Sequence, residues 1–155
     1  MGHHISGVVA RSGLFRSLGK EFDGQQPIEL VDGFSFLPLD HENLDGIVGL
    51  NAGEAVEHFE YLTQALLTLL SRSSSVGDLA YIETGYFGGN GGQRAVAFRG
   101  GGLSFGPAYR EIGPINEALS ILGVRAGANA RDEFDAVGLG KHRSNEDFRS
   151  ITSAT

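Results

Sequence analysis

Serine, acid and histidine occur in this chain in an order that could support nucleophilic catalysis. Gly102-Leu-Ser104-Phe-Gly106 has the Gly-x-Ser-x-Gly spacing of a nucleophile elbow, and Asp132, Asp135 and His142 follow it downstream. In such a set an imidazole takes the hydroxyl proton and a carboxylate orients the imidazole. The elbow works only when a strand precedes the serine and a helix follows at once, so that the hydroxyl stands clear of the sheet. Here Ser104 runs into Phe105-Gly-Pro107, which predicts more strand or turn. With 24 glycines in 155 residues, a two-glycine pattern also arises easily by chance. A small serine hydrolase using Ser104, His142 and Asp135 is therefore the alternative reading, and no catalytic residue is assigned in the leading one.

Metal and phosphate chemistry find less support. Of the histidines, His3 and His4 are neighbours in a strand-like start and would point to opposite faces, while His41, His58 and His142 stand apart in sequence. Glu54 and His58, four residues apart, would share a helix face, but no His-Glu-x-x-His pattern completes a site. Asp132, Glu133 and Asp135 lack the spacing of a calcium loop. The absence of cysteine removes disulfides, thiolate-bound zinc, iron–sulfur clusters and a thiol nucleophile. Gly88-Gly-Asn-Gly-Gly92 and Gly100-Gly-Gly102 lack the Lys and Ser/Thr of a P-loop and precede strands, not helices. Neither a metal nor a cofactor is expected.

The residues left for binding surround the glycine-rich turn. Glu83, Tyr86, Phe87 and Gln93 flank a tip of Gly and Asn, and Asp135, His142 and Arg143 lie late in the chain. Loops of this kind often carry binding groups, and a pocket joining the hairpin to the tail is the expected site. Exposed Tyr86-Phe87 beside the tip would also suit a homodimer.

The elements that must position these residues follow from periodicity. Leu79–Phe87, Gln93–Arg99 and Leu103–Tyr109 read as a three-stranded antiparallel meander turning at 88–92 and 100–102. In the first of these, residues 81, 83 and 85 take one face and Ile82, Thr84 and Tyr86 the other. Ile5–Ala10 and Phe34–Leu39 are further strands, the second ended or edged by Pro38. A short helix is expected around Arg16. Asn51 followed by Glu54 has a capping-box pattern, and Val56, Phe59, Leu62, Leu66, Leu69 and Leu70 recur at helical steps, so a long helix is expected from Asn51 to about Ser71. Gly113-Pro114 starts a second helix that Gly123 stops. The stretch 132–140 reads as irregular, and Ser144 with Asp147 caps a last short helix. The expected fold is α+β: a mixed, largely antiparallel sheet of about five strands against two main helices, in one two-layer domain spanning 1–155.

Charge is uneven. Between Lys20 and Arg72 there is no basic residue and there are ten acidic ones, within a net charge of −7. That balance disfavours nucleic acid as partner and suits a basic protein. The start of the chain lacks the basic head and apolar core of a signal peptide, and no run is long enough to cross a bilayer, so a cytoplasmic location is expected. Met1-Gly-His-His-Ile5, Tyr86-Phe-Gly-Gly-Asn-Gly-Gly-Gln93, Gly113-Pro-Ile-Asn-Glu-Ala-Leu119 and Glu133-Phe-Asp-Ala-Val-Gly-Leu-Gly140 together resemble a group of short bacterial proteins to which no reaction is assigned. The resemblance implies a bacterial source and a single compact domain. The leading reading is a small soluble protein that binds another protein through its acidic surface or its Gly-rich hairpin.

Overall fold

Three runs, Ser6–Ala10, Phe34–Leu37 and Ala95–Phe98, carry apolar side chains with little polar alternation, and they form the middle of a six-stranded antiparallel sheet. The computed structural model describes residues 3–18, 22, 25–40, 44, 46–47, 53–87 and 90–153. Its strands are β1 (Ser6–Arg11), β2 (Ile28–Glu29), β3 (Phe34–Pro38), β4 (Leu79–Phe87), β5 (Asn90–Arg99) and β6 (Gly102–Arg110), in the order β2-β3-β1-β4-β5-β6. Helices with both ends among the described residues are α1 (Ser12–Ser17), α2 (Gln64–Ser73), α3 (Pro114–Ile121), α4 (Glu133–Val137) and α5 (Asn145–Ser153). Among the described residues no helix is long and apolar enough to cross a membrane.

The α+β class and the antiparallel meander hold, with one strand more than expected. Helices cover both faces of the sheet, not one. Val8, Ala10, Leu37, Tyr81, Val96 and Phe98 pack with Leu14 and Phe15 of α1 and Leu66, Leu69 and Leu70 of α2. Val9, Phe34, Phe36, Ala80, Ile82, Ala95 and Ala97 pack on the other face with Ile115, Ala118 and Leu119 of α3, Val137 of α4 and Phe148 of α5. Successive strand residues point to opposite faces, so an unbroken apolar run feeds two cores. Each fully buried aliphatic side chain contributes ~1.5–3 kcal/mol.

The long helix expected from Asn51 begins instead at Gln64, with Thr63 accepting the Leu66 amide at 3.3 Å as its cap. Asn51 lies outside the described residues, as do His41, Gly88 and Gly89. Residues 54–63 form a closed loop, with the Gln64 amide on the Glu54 carbonyl and the Val56 amide on the Leu62 carbonyl. Gly53 and His58 have φ of +80° and +72°, which no helix accommodates. Val56, Phe59 and Leu62 are buried all the same, so the apolar spacing served a loop. The stretch 132–140, expected to be irregular, contains α4, capped by Asp132, which accepts the Asp135 amide at 2.9 Å. The expected α3 and the Ser144 cap on Asp147 are present.

Candidate functional site: the β4–β5 hairpin and the loop over it

Glu83 is the most constrained of the predicted binding residues. It is 2% exposed. Its Oε1 accepts the Glu60 amide at 2.7 Å, and its Oε2 accepts the Tyr61 and Leu62 amides at 2.9 and 3.2 Å. The Tyr81 hydroxyl donates to the same Oε2 at 2.7 Å. Consecutive amides converging on a carboxylate form a built-in anion cradle, and here the anion is the protein's own. Burial first, then the Glu83 charge, push the Tyr81 phenol well above its usual range. Glu83 therefore holds the 54–63 loop against the sheet and is not free to meet a ligand.

That loop helps wall a small platform on the α2 face. Register pairs Glu83 with Arg94 and Arg94 with Tyr109, so the three form one row across β4, β5 and β6. The next row holds Gly85 opposite Gly92. A β-carbon at Gly85 would lie 2.7 Å from Nη1 of Arg94, and one at Gly92 would lie 2.9 Å from the Tyr109 ring. These two glycines are thus the floor on which a guanidinium and a phenol ring rest. The Arg94 guanidinium lies 5.0 Å from the centroid of the Tyr109 ring, and its Nε donates to the His58 carbonyl at 2.7 Å. The His58 ring stacks on Tyr109 at 4.7 Å with 11° between planes. Exposed His4 pairs with Glu60 at 3.1 Å beside them, a contact worth little in water. Neither amino group of Arg94 has a hydrogen bond or ion pair among the described residues.

The opposite face of the hairpin is spent on internal bonding. The Gln93 carbonyl oxygen accepts the Gly113 and Ile115 amides at 3.3 and 3.2 Å, capping α3, whose N-cap glycine has no side chain to do so. Tyr86 donates to the Glu111 carbonyl, and burial is the main cause of its raised phenol pKa, with the nearby Gln93 side chain opposing it. Phe87 ends β4 opposite Asn90, so Asn90, Gly91 and Gly92, expected in the five-residue tip, are strand residues.

His3 lies on this face, with Nδ1 2.8 Å from the Thr84 hydroxyl oxygen. That oxygen also accepts the Ile5 amide at 2.9 Å, and which partner donates in the Nδ1 contact is set by the imidazole tautomer. Nε2 is buried without a hydrogen-bond partner, beside the Phe134 ring at 5.6 Å. Burial lowers the His3 pKa below 6.5; Arg143 and His4 lower it further, and the nearby His142 carbonyl opposes them. The unfolded chain therefore takes up the proton first. This contribution to stability is complete above pH 6.5 and is lost as pH falls from there through the depressed folded-state value. Melting temperatures measured from pH 7.5 to 5 should fall more steeply for the wild type than for His3→Gln; equal slopes would rule out His3 as the cause.

The tail residues do not assemble with Ser104. Asp135 is exposed, its carboxylate accepting the Arg131 amide at 3.1 Å. The His142 ring lies edge-on to Phe148 at 4.8 Å, and the Arg143 carbonyl accepts the His4 amide at 2.7 Å. Ser104 sits in a bulge of edge strand β6 between the pairs Ala97–Phe105 and Phe98–Leu103, level with Leu79 at the start of β4. His142 lies near His4 and hence near the far end of β4, ~20 Å away along the strands. Strand continues after Ser104, so no elbow forms there. Among the described residues no three His, Asp or Glu side chains gather as metal ligands. Arg94 and Tyr109 were not singled out by sequence, and His58 was weighed there only as a metal ligand; the signal that could have found the platform is the odd-numbered register of β4 on β5. No family model, curated protein or solved structure matches this chain.

Proposed function

We propose that the protein acts by binding another protein, and that the contact centres on the Arg94–Tyr109–His58 platform of the hairpin. The observation that supports this reading is a guanidinium held in place by a carbonyl, an aromatic ring and a glycine floor, with neither amino group hydrogen-bonded or ion-paired among the described residues. An arginine so positioned loses little side-chain freedom on docking and recognises a carboxylate or phosphate on the partner. Arginine and tyrosine are also the residues that most often dominate protein contacts.

The acidic stretch offers a second reading, a basic partner. Glu54 and Glu57 are exposed on the 54–63 loop, next to the platform, whereas Glu29 and Asp32 belong to the β2 edge of the sheet. Among the described residues the acids thus fall in separate regions, and those of the 54–63 loop, Glu54, Glu57 and Glu60, adjoin the hairpin.

The test is capture from native lysate at low and high salt, with wild type, Arg94→Ala and Glu54→Lys/Glu57→Lys proteins in parallel. A partner that binds wild type, weakens with salt and is lost with Arg94→Ala fits the platform reading. Loss with the lysine pair alone favours the basic partner. Capture indifferent to all three would remove the hairpin from the account.

A further inference from the structure

At the other end of the same face, α2 and β6 enclose an open groove of about 550 Å³. Its size is that of small-molecule sites in general, ~300–1,000 Å³. Leu67 of α2, Phe98 of β5 and Leu103 of β6 supply its apolar surface. Leu103 is 54% exposed, a large apolar side chain left uncovered at the rim. The hydroxyls along the helix are engaged: Thr68 donates to the Gln64 carbonyl and Ser71 to the Gly101 carbonyl. Arg72 is the one charged residue of the described lining, and its guanidinium has no hydrogen bond or ion pair among the described residues. Arg99, at the end of β5, is neutralised by Asp78 at 3.2 Å.

We propose that this groove binds a small apolar organic anion, such as an alkyl or aryl carboxylate, with its tail on Leu67, Phe98 and Leu103 and its head group on Arg72. The choice of an anion follows from charge. At the mouth of an apolar groove, an arginine whose guanidinium has no ion-pair partner among the described residues favours one negative group and disfavours a cation. The middle of β6 argues against a peptide strand as occupant: its pairing with β5 is irregular between Ala95 and Ala97, where Pro107 falls, and again between Ala97 and Phe98, which breaks the edge ladder that a peptide would extend.

The probe is anilinonaphthalene sulfonate, a fluorescent apolar anion, competed by decanoate or by decyltrimethylammonium. The expected result is saturable binding to one site, with decanoate displacing the probe and the cation doing so at least about tenfold less well. Arg72→Gln should weaken decanoate by about tenfold, with an unchanged urea midpoint, and Leu103→Asp should abolish binding of both probe and decanoate. Equal displacement by anion and cation would overturn the proposal, as would binding unaffected by Arg72→Gln. So would a wild-type protein that binds no probe and that light scattering shows as a dimer made monomeric by Leu103→Asp, since a second copy would then fill the groove.

Discussion

Glu83→Ala should lower the free energy of unfolding by about 3–5 kcal/mol, read as a shift of the urea midpoint with the slope unchanged. The substitution strands four donors at once: the amides of Glu60, Tyr61 and Leu62 and the Tyr81 hydroxyl. Buried donors without acceptors keep their full desolvation penalty, and those bonded to a charged acceptor lose the most. Glu83→Gln keeps one acceptor oxygen but turns an amino group toward an amide, and about half the effect is expected. Hydrogen exchange adds a readout specific to the loop, because the amides of residues 60–62 should lose protection well before the β4 and β5 amides do. An unaltered midpoint together with protected 60–62 amides would show that the loop is held by Val56, Phe59 and Leu62 alone. The same variant bears on binding, since the His58 carbonyl that fixes Arg94 belongs to this loop. Partner capture should weaken in Glu83→Gln even at temperatures where the protein remains folded.

Asn145→Ala should be the next most damaging change, by about 2–4 kcal/mol or roughly 5–15 °C in Tm. Its Oδ1 accepts the Ser6 amide at 2.9 Å, and its Nδ2 donates to the Ser6 carbonyl at 3.0 Å and the Leu39 carbonyl at 3.3 Å. The Ser6 hydroxyl, 3.3 Å from the same Nδ2, donates onward to the Leu39 carbonyl at 2.6 Å. One buried side chain thus ties the first residue of α5 to β1 and to the end of β3, across 139 positions of sequence. Asn145→Asp retains the acceptor and replaces the donor with a negative oxygen facing two carbonyls, so it should be at least as damaging. Limited proteolysis would separate a local from a global loss, with cleavage within 140–153 appearing first. A variant that melts with the wild type would mean that Phe148, packed at 5.1 Å on Phe36, suffices to dock the helix.

Both large effects come from buried polar side chains that close contacts far apart in sequence, which is why neither was visible as a motif. The Glu83 case also explains the failed helix. Val56, Phe59, Leu62, Leu66, Leu69 and Leu70 are spaced for one helical stripe, and a helix through 60–62 would spend those three amides on its own carbonyls. Glu83 competes for them with a buried carboxylate, and His58 at positive φ marks where the backbone yields to it.

The hairpin shows how much hangs on a short count. A five-residue turn after Phe87 would pair Phe87 with Gln93 and Glu83 with Ala97. The observed register pairs Phe87 with Asn90 and Glu83 with Arg94. The shift is odd, so it exchanges the faces of every β5 side chain relative to β4. It places Arg94 beside Tyr109 over Gly85 and Gly92, and it turns Gln93 toward α3. From sequence, Gly92 read as part of a permissive tip; in the fold it forms a floor with Gly85.

By itself the sequence determined the features that local spacing controls. These are the antiparallel meander of β4, β5 and β6, the start of α3 at Pro114 and its stop at Gly123, and the Ser144 cap. It also held, in unbroken runs such as Ala95-Val-Ala-Phe98, the sign that both faces of the sheet are covered. Tertiary structure alone decided the strand order that sets β1 between β3 and β4, the release of 54–63 from helix, and the row Glu83–Arg94–Tyr109. Periodicity and caps act between residues two to four apart, whereas order and register are settled by which distant polar groups must find partners once the apolar faces have closed.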